Sequence, residues 1–217
     1  MQCKLVAISK PVIDECATAE ELVAYCARVS NPANQANHDT SAKLVRYLMN
    51  NNHWSPLEMV HLTIEIETTR DIARQILRHR SFAFQEFSQR YAAVVDFAEP
   101  REARLQDTKN RQNSIETDDK AIQREWFEHQ ENLTAFAEGT YQWALENGIA
   151  KEVARSVLPE GLTNSRLYMS GSLRSWVHYC NLRRANGTQK EHMEIAEDCW
   201  RIIGEQFPSI AESVNDA

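Results

Sequence analysis

Glycine is scarce in this 217-residue chain, and its scarcity removes the usual backbone cradles for phosphate. The six glycines, at 139, 148, 161, 171, 187 and 204, stand too far apart for a GxGxxG turn or a P-loop. Any phosphate must then be held by side chains. Cysteine is sparse too. Cys3, Cys16, Cys26, Cys180 and Cys199 are odd in number and include no CxxC pair, which argues against a disulfide framework or zinc knuckle and predicts a reducing, cytosolic setting. The seven histidines show no HExxH or paired ligand spacing, so no metal centre is expected. No apolar run is long enough to span a bilayer, and the run from Met1 to Ile8 is too short for a signal peptide, so no membrane association is expected. Positive charge is in deficit overall. A formal net charge of -7 speaks against non-specific nucleic-acid binding as the main task.

Against that acidic background one segment is basic. From Arg70 to Arg90 there are Arg70, Arg74, Arg78, Arg80 and Arg90 against Asp71 and Glu86, a local balance of five minus two, or +3. Cations gathered this closely repel one another unless a counter-ion is present, and forked guanidinium groups match phosphate. Arg78 and Arg80 would also complement the negative end of a helix, but that leaves Glu86, Ser88 and Arg90 unexplained. If the chain is extended after Arg80, Glu86, Ser88 and Arg90 alternate onto one face and Phe87 onto the other. A carboxylate, a hydroxyl and a guanidinium would then converge on one ligand, a combination suited to a nucleotide.

With 42% hydrophobic and 25% charged residues, the composition is that of an ordinary globular protein. The patterning predicts one α+β domain over residues 1–217, a mixed or antiparallel sheet packed by helices. Short strands are expected at Lys4–Ser9 and through Leu62, Ile64 and Ile66, where apolar residues alternate with Thr63, Glu65 and Glu67. Helices are expected over Ala19–Val29, after Asp39-Thr40-Ser41, from Ser55, over Thr69–Arg80, and around Val153, Ala154, Val157 and Leu158. Others are expected over Asp119–Glu146 and Ser172–Arg184, and after Thr188. Two capping boxes are predicted, Ser55 with Glu58 and Thr188 with Glu191. The polar stretch from Pro100 to Asp119 reads as a functional or interface loop.

Taken singly, several residues are ambiguous. Ser55 and Glu58 fit a helix cap as well as an anion site. His53 fits a helix end or core position, and Arg155, Arg174, Arg183 and His178 fit a solvated surface. Their joint pattern is more specific. Arg78-His79-Arg80, seven residues, then Ser88, with Gln75 before and Glu86, Arg90 and Tyr91 around it, resembles the signature of the flavin-dependent thymidylate synthases. The likeness continues through Ala27-Arg28-Val29-Ser30, His53-Trp54-Ser55-Pro56-Leu57-Glu58, Glu152-Val153-Ala154-Arg155 with Leu158-Pro159, and Leu173-Arg174-Ser175-Trp176-Val177-His178 leading to Leu182-Arg183. The segment Phe84–Tyr91 and the Asn186-Gly187-Thr188-Gln189 turn are similar to the viral branch of that family, which would place the protein in a host cytoplasm. Ala83 and Gln85 depart from a serine and an asparagine common in the family.

The resemblance implies a homotetramer of α+β subunits in which FAD and dUMP share sites at subunit interfaces. It implies that dUMP, 5,10-methylenetetrahydrofolate and NADPH give dTMP, tetrahydrofolate and oxidised nicotinamide, with no cysteine attacking the base. Carried over by position, Gln75, Arg78, Glu86, Ser88, Gln89, Arg90, Arg155 and Arg183 would hold dUMP. Ser55, Glu58, Arg78, His79, Arg80, Ser81, Glu86, Ser172, Arg174 and His178 would hold FAD. Arg183 would stabilise charge on the activated pyrimidine, since a guanidinium is a poor base at neutral pH. Ser88 would contact substrate and His53 would orient flavin or substrate. The implied set includes neither a metal nor a nucleic acid. Two other readings share the basic segment: a non-catalytic nucleotide or RNA-binding protein, and a flavoprotein oxidase without a working folate site.

Overall fold

The computed structural model describes residues 2–94 and 96–215. Its elements in chain order are β1 (Gln2–Ile8), α1 (Ala19–Ala27), α2 (Ser41–Asn50), β2 (His61–Thr69), α3 (Arg70–Ile76), β3 (Ala83–Glu86), β4 (Arg104–Gln106) and β5 (Ser114–Glu116). Then follow α4 (Lys120–Glu146), α5 (Lys151–Ala154), β6 (Asn164–Ser172), α6 (Leu173–Arg183), α7 (Lys190–Gln206) and α8 (Pro208–Asn215). A four-stranded antiparallel sheet runs in the order β1-β2-β6-β3. Its register follows from the alternation in β2: Leu62, Ile64 and Ile66 are buried, and their neighbours point to the other face. Across from them, Leu167 and Met169 of β6 enter the same core. The helices α1, α2, α3, α6 and α7 cover that face, with Trp176, Tyr179 and Phe207 as its largest buried side chains. The Trp176 indole N–H donates to the Leu62 carbonyl at 3.2 Å, tying α6 to β2.

Strand β6 had no expected counterpart. The sequence Asn-Ser-Arg-Leu-Tyr-Met-Ser-Gly-Ser carries only two aliphatic side chains in the alternating set, so burial on β2 rather than intrinsic propensity makes it a strand. Gly171 within it is needed for close approach. A Cβ there would lie 2.5 Å from the Phe82 ring, which packs edge-on against Trp176 at 4.9 Å.

Several expected boundaries are corrected. Helix α3 ends at Ile76 rather than Arg80, because Arg78 and His79 donate to Gln75 and Ile76, three residues back, and tighten the chain into turns. The Ser55 box does not form; Ser55–Met59 is a 3-10 turn without a side-chain cap, and Glu58 turns to Arg174 instead. Nor does the Thr188 box: α7 starts after Gln189, whose amide donates to the Glu191 carboxylate at 2.9 Å. Helix α2 likewise has no side-chain cap at Thr40. In the 151–158 region the expected stripe splits. Ala154 and Leu158 are buried, whereas Val153 and Val157 are exposed. The Pro100–Asp119 excursion contains the β4–β5 hairpin and is held down by Arg101 and Arg104.

Helix α4, 27 residues and roughly 40 Å long, spans the expected stretch, one residue later at its start because Asp119 caps it rather than joining it. Its apolar residues are largely uncovered: Trp126, Phe127, Leu133, Phe136 and Trp143 are exposed, Phe136 by 75%. Among the described residues no helix is long and apolar enough to cross a membrane.

Candidate functional site

The tight turn after α3 aims its side chains at the end of α6. Arg183 donates through Nε to His79 Nε2 at 2.9 Å, and the His79 ring stands edge-on to Tyr179 at 4.9 Å. Burial, followed by the charges of Arg183, His178 and Arg78, pushes the His79 imidazole down to about 4. It is therefore neutral near pH 7 and accepts from Arg183, leaving the terminal guanidinium nitrogens of Arg183 free for another partner. Gln75, one turn earlier on α3, faces α7: its amide donates to Gln189 at 2.7 Å and accepts from His192 at 3.3 Å. Gln75, Arg78, His79 and Arg183 thus form one cluster, with His178 beside it.

A second cluster lies where the 55–59 turn meets the start of α6. Glu58 and Arg174 pair at 2.7 Å, and Ser172 caps α6 by accepting from the Ser175 amide at 3.2 Å. The strand pairing of His61 with Ser172 brings the Ser55 turn to this corner. The Glu58–Arg174 pair is solvent-exposed and worth at most about 1 kcal/mol, so Arg174 exchanges partners easily. His53 is placed by a Schellman end to α2. Asn52 adopts a left-handed φ of 57°, its N–H donates to Met49, and the His53 N–H donates to Leu48. The exposed His53 ring stands edge-on to Tyr47 at 5.8 Å.

The third group departs from expectation. The extended segment ends at Glu86, and the chain turns at Ser88, whose carbonyl accepts from Tyr91 and Ala92. Glu86, Ser88 and Arg90 therefore do not share one strand face. Glu86 accepts from Ser165 at 2.9 Å and lies 3.6 Å from Arg70, while Arg90 lies 3.4 Å from Glu152 on α5. Gln89 is buried and its amide nitrogen has no partner. Arg155 directly follows α5, three residues after Glu152. Strand β3, four residues or about 13 Å long, separates this group from Arg80 and Ser81.

The arginines sort by partner. Arg70, Arg74, Arg90 and Arg174 each have a carboxylate within reach. Among the described residues Arg78, Arg80, Arg155 and Arg183 have none within 4.0 Å. Four guanidinium groups without counter-ions have the chemistry to take an anion. Four of the five thiols are shifted away from the reactive thiolate. Burial raises Cys16, Cys26 and Cys180, and Cys199 is raised by its bond to Cys3 and by burial. Sequence reading passed over Tyr179, Gln189, Glu191 and His192, which support Gln75 and His79 from behind. Their signals in the sequence are the Thr188/Glu191 spacing, which spells a helix cap, and the Asn186-Gly187-Thr188-Gln189 turn.

These groupings can be set beside known proteins. The model of the family described as thymidylate synthase complementing protein matches residues 11–209. A probable flavin-dependent thymidylate synthase of Paramecium bursaria Chlorella virus 1 is 50% identical over 215 residues, covering 99% of either chain. The flavin-dependent thymidylate synthase of Synechocystis is 48% identical over 217 residues, again 99% of either chain. A crystal structure of the UMP/dUMP methylase PolB from Streptomyces cacaoi, bound with 5-Br dUMP, has a TM-score of 0.82 at 27% identity, covering 99% of this chain and 94% of that one. Because the matched span takes in both the basic turn after α3 and Arg183 on α6, the chain belongs to the thymidylate synthase complementing protein family.

Proposed function

We propose that the protein is a flavin-dependent thymidylate synthase that methylates dUMP to dTMP. The methylene carbon comes from 5,10-methylenetetrahydrofolate and the reducing equivalents from NADPH through FAD. The observation that carries this reading is the carboxylate-free set Arg78, Arg80, Arg155 and Arg183, in a chain whose Cys16, Cys26, Cys180 and Cys199 thiols are held protonated. Thymidylate chemistry without a thiolate needs another way to activate the pyrimidine, and a fixed guanidinium supplies it. Arg183, steered by neutral His79, stabilises negative charge on the ring, while Gln75 reads a polar ring edge. Arg78, Arg155 and Arg90 hold phosphate, with Ser88 and Gln89 on the sugar side; the orphaned Gln89 amide nitrogen has a donor to spare.

The second cluster, taken with Arg78 and His178 of the first and with Arg80 and Ser81, offers donors that fit a dinucleotide: Arg78, Arg80, Arg174 and His178 suit a pyrophosphate, and Ser55, Ser81, Ser172 and Glu58 suit ribose and ring edges. FAD, when bound there, supplies the hydride chemistry and the carbon relay, and the protein contributes placement and charge. His53 orients flavin or substrate from the α2 terminus. The exposed apolar side chains of α4, with Val153 and Val157, support assembly as a homotetramer. So does the separation of the Ser88–Arg155 group from the Arg183 group along β3, since one dUMP would need both groups and a second subunit can supply one of them.

The test is the visible spectrum of the purified protein reconstituted with FAD and titrated with dUMP. A flavin spectrum that shifts saturably with dUMP, with dTMP formed once NADPH and the folate are added, is expected. Flavin that never binds, with steeply salt-dependent polynucleotide binding, would replace the proposal with a binding protein. NADPH consumption without dTMP would replace it with an oxidase.

A further inference from the structure

The groups behind Gln75 and His79 form a chain whose every hydrogen bond has one allowed direction. Glu191 is its anchor. It is buried beside Arg104, which donates to it, and Arg101 lies 4.0 Å away. Burial raises this carboxyl, but its own backbone amide, Gln189 and the two guanidinium groups together hold it below its ordinary range, so it is an acceptor only. Gln189 must then present its amide nitrogen to Glu191, at 2.9 Å, and its oxygen to Gln75. Gln75 must give its nitrogen to that oxygen, at 2.7 Å, and turn its own oxygen to His192. The acceptor on Gln75 requires a proton on His192 Nδ1, at 3.3 Å. His192 Nε2 accepts the Tyr179 hydroxyl at 3.1 Å, since burial keeps that phenol protonated. The Tyr179 ring abuts His79, and there a second donor-only group, Arg183, demands the lone pair of His79 Nε2.

We infer that Gln189, Glu191, His192 and Tyr179 are positioning residues that fix the amide of Gln75 and the imidazole of His79 in single orientations for pyrimidine recognition. This rests on the proposed placement of dUMP against Gln75 and Arg183. A free amide flips between donor and acceptor. An amide locked by a carboxylate two bonds away presents one pattern to the base, and discrimination by hydrogen bonding depends on that pattern being fixed. The hairpin that bears Arg104 therefore serves the site from a distance, by holding the anchor rather than by covering the ligand.

Two measurements on the FAD-reconstituted protein test this. In long-range nitrogen–proton spectra of the imidazoles near pH 7, His192 and His79 are both expected neutral with the proton on Nδ1. His192 protonated on Nε2, or on both nitrogens, would overturn the direction of the chain. In steady-state kinetics, His192→Leu is expected to raise KM for dUMP by about five- to tenfold, the effect of one lost hydrogen bond, with little change in kcat. His192→Asn, whose amide nitrogen can stand where Nδ1 stood, is expected to recover most of the loss. Equal KM in wild type and His192→Leu would overturn the positioning role. If His192→Leu fails to fold, the imidazole spectra of the wild type and the KM of His192→Asn decide. If the wild type itself binds no dUMP, the proposed function fails, while the imidazole spectra still decide the chain's direction.

Discussion

His192 gives the sharpest test of the buried polar arrangement through stability alone. Its imidazole is fully buried, and burial, then the charges of Arg183 and His79, push its value from 6.5 to about 3. A histidine whose folded value lies below its unfolded value binds fewer protons when folded. Its contribution is complete above pH 6.5 and is lost as the pH falls through 6.5 toward 3. One proton taken up on unfolding gives a slope of ~1.4 kcal/mol per pH unit, so the loss between pH 6.5 and 5 is ~2 kcal/mol. His192→Asn removes that titration while keeping a polar group in place. The assay is urea unfolding at several pH values from 5 to 7, comparing slopes rather than absolute stabilities. The carboxylates of Asp71 and Glu191 are held below their usual range and titrate beneath this window. His79 shifts in the same direction but is present in both proteins. The wild type should lose ~2 kcal/mol more than the variant on going to pH 5. Parallel curves would refute a buried, neutral His192.

Arg183→Ala should retain flavin but lower dTMP formation by about a hundredfold or more, since it removes the group placed to meet charge on the ring; wild-type turnover would remove Arg183 from that role. Gly171→Ala should destabilise by about 1–3 kcal/mol, because its Cβ would lie 2.5 Å from a Phe82 ring already packed on Trp176. An unchanged melting temperature would show that the ring moves freely. At Asn52, with φ 57°, Val should cost about 1–2 kcal/mol and Gly should be neutral or stabilising. Equal stability of the two variants would mean that the α2 terminus is not held in the left-handed conformation.

What was legible in the sequence was what alternation and caps encode. Strand β2 and helix α6 lie close to where their patterns place them because their apolar residues are those the core buries, and α4 does so because Asp119 caps its start and Asn147-Gly148 ends it, although most of its large apolar side chains are exposed. Strand β6 was illegible because its strand character comes from the partner it pairs with, and a run holding Ser165, Ser170 and Gly171 has little β preference of its own. The candidate site was legible as residue types but not as partners. Glu58 and Glu191 both occupy positions that spell a capping box, and in both cases an arginine distant in sequence, Arg174 or Arg104, competes successfully for the carboxylate. A charge-assisted bond outweighs a bond to a backbone amide, which at Glu58 the 3-10 turn no longer presents and at Glu191 is displaced because the helix starts after Gln189. Glu86, Ser88 and Arg90 were placed on one face because a strand was extrapolated beyond Glu86, where β6 ends its pairing with β3 at Leu167 and the chain is free to turn.

The division between paired and unpaired arginines also explains why this site could not be assembled more simply. Arg101 and Arg104 lie largely buried, and removing Asp71 or Glu191 would leave a buried charge without its partner, at a cost of about 3–5 kcal/mol. Arg78 and Arg80 are exposed, and water screens them until an anion arrives. Carboxylates beside them would relieve their repulsion and would also compete with the phosphate of the proposed ligand. The exposed Glu58 is the intermediate solution, a carboxylate that holds Arg174 in place at a cost small enough for a stronger anion to offset. Asp71 and Glu191 are thus committed to the scaffold, while Arg78, Arg80, Arg155 and Arg183 stay without counter-ions, which is the arrangement the proposed anionic ligand would need.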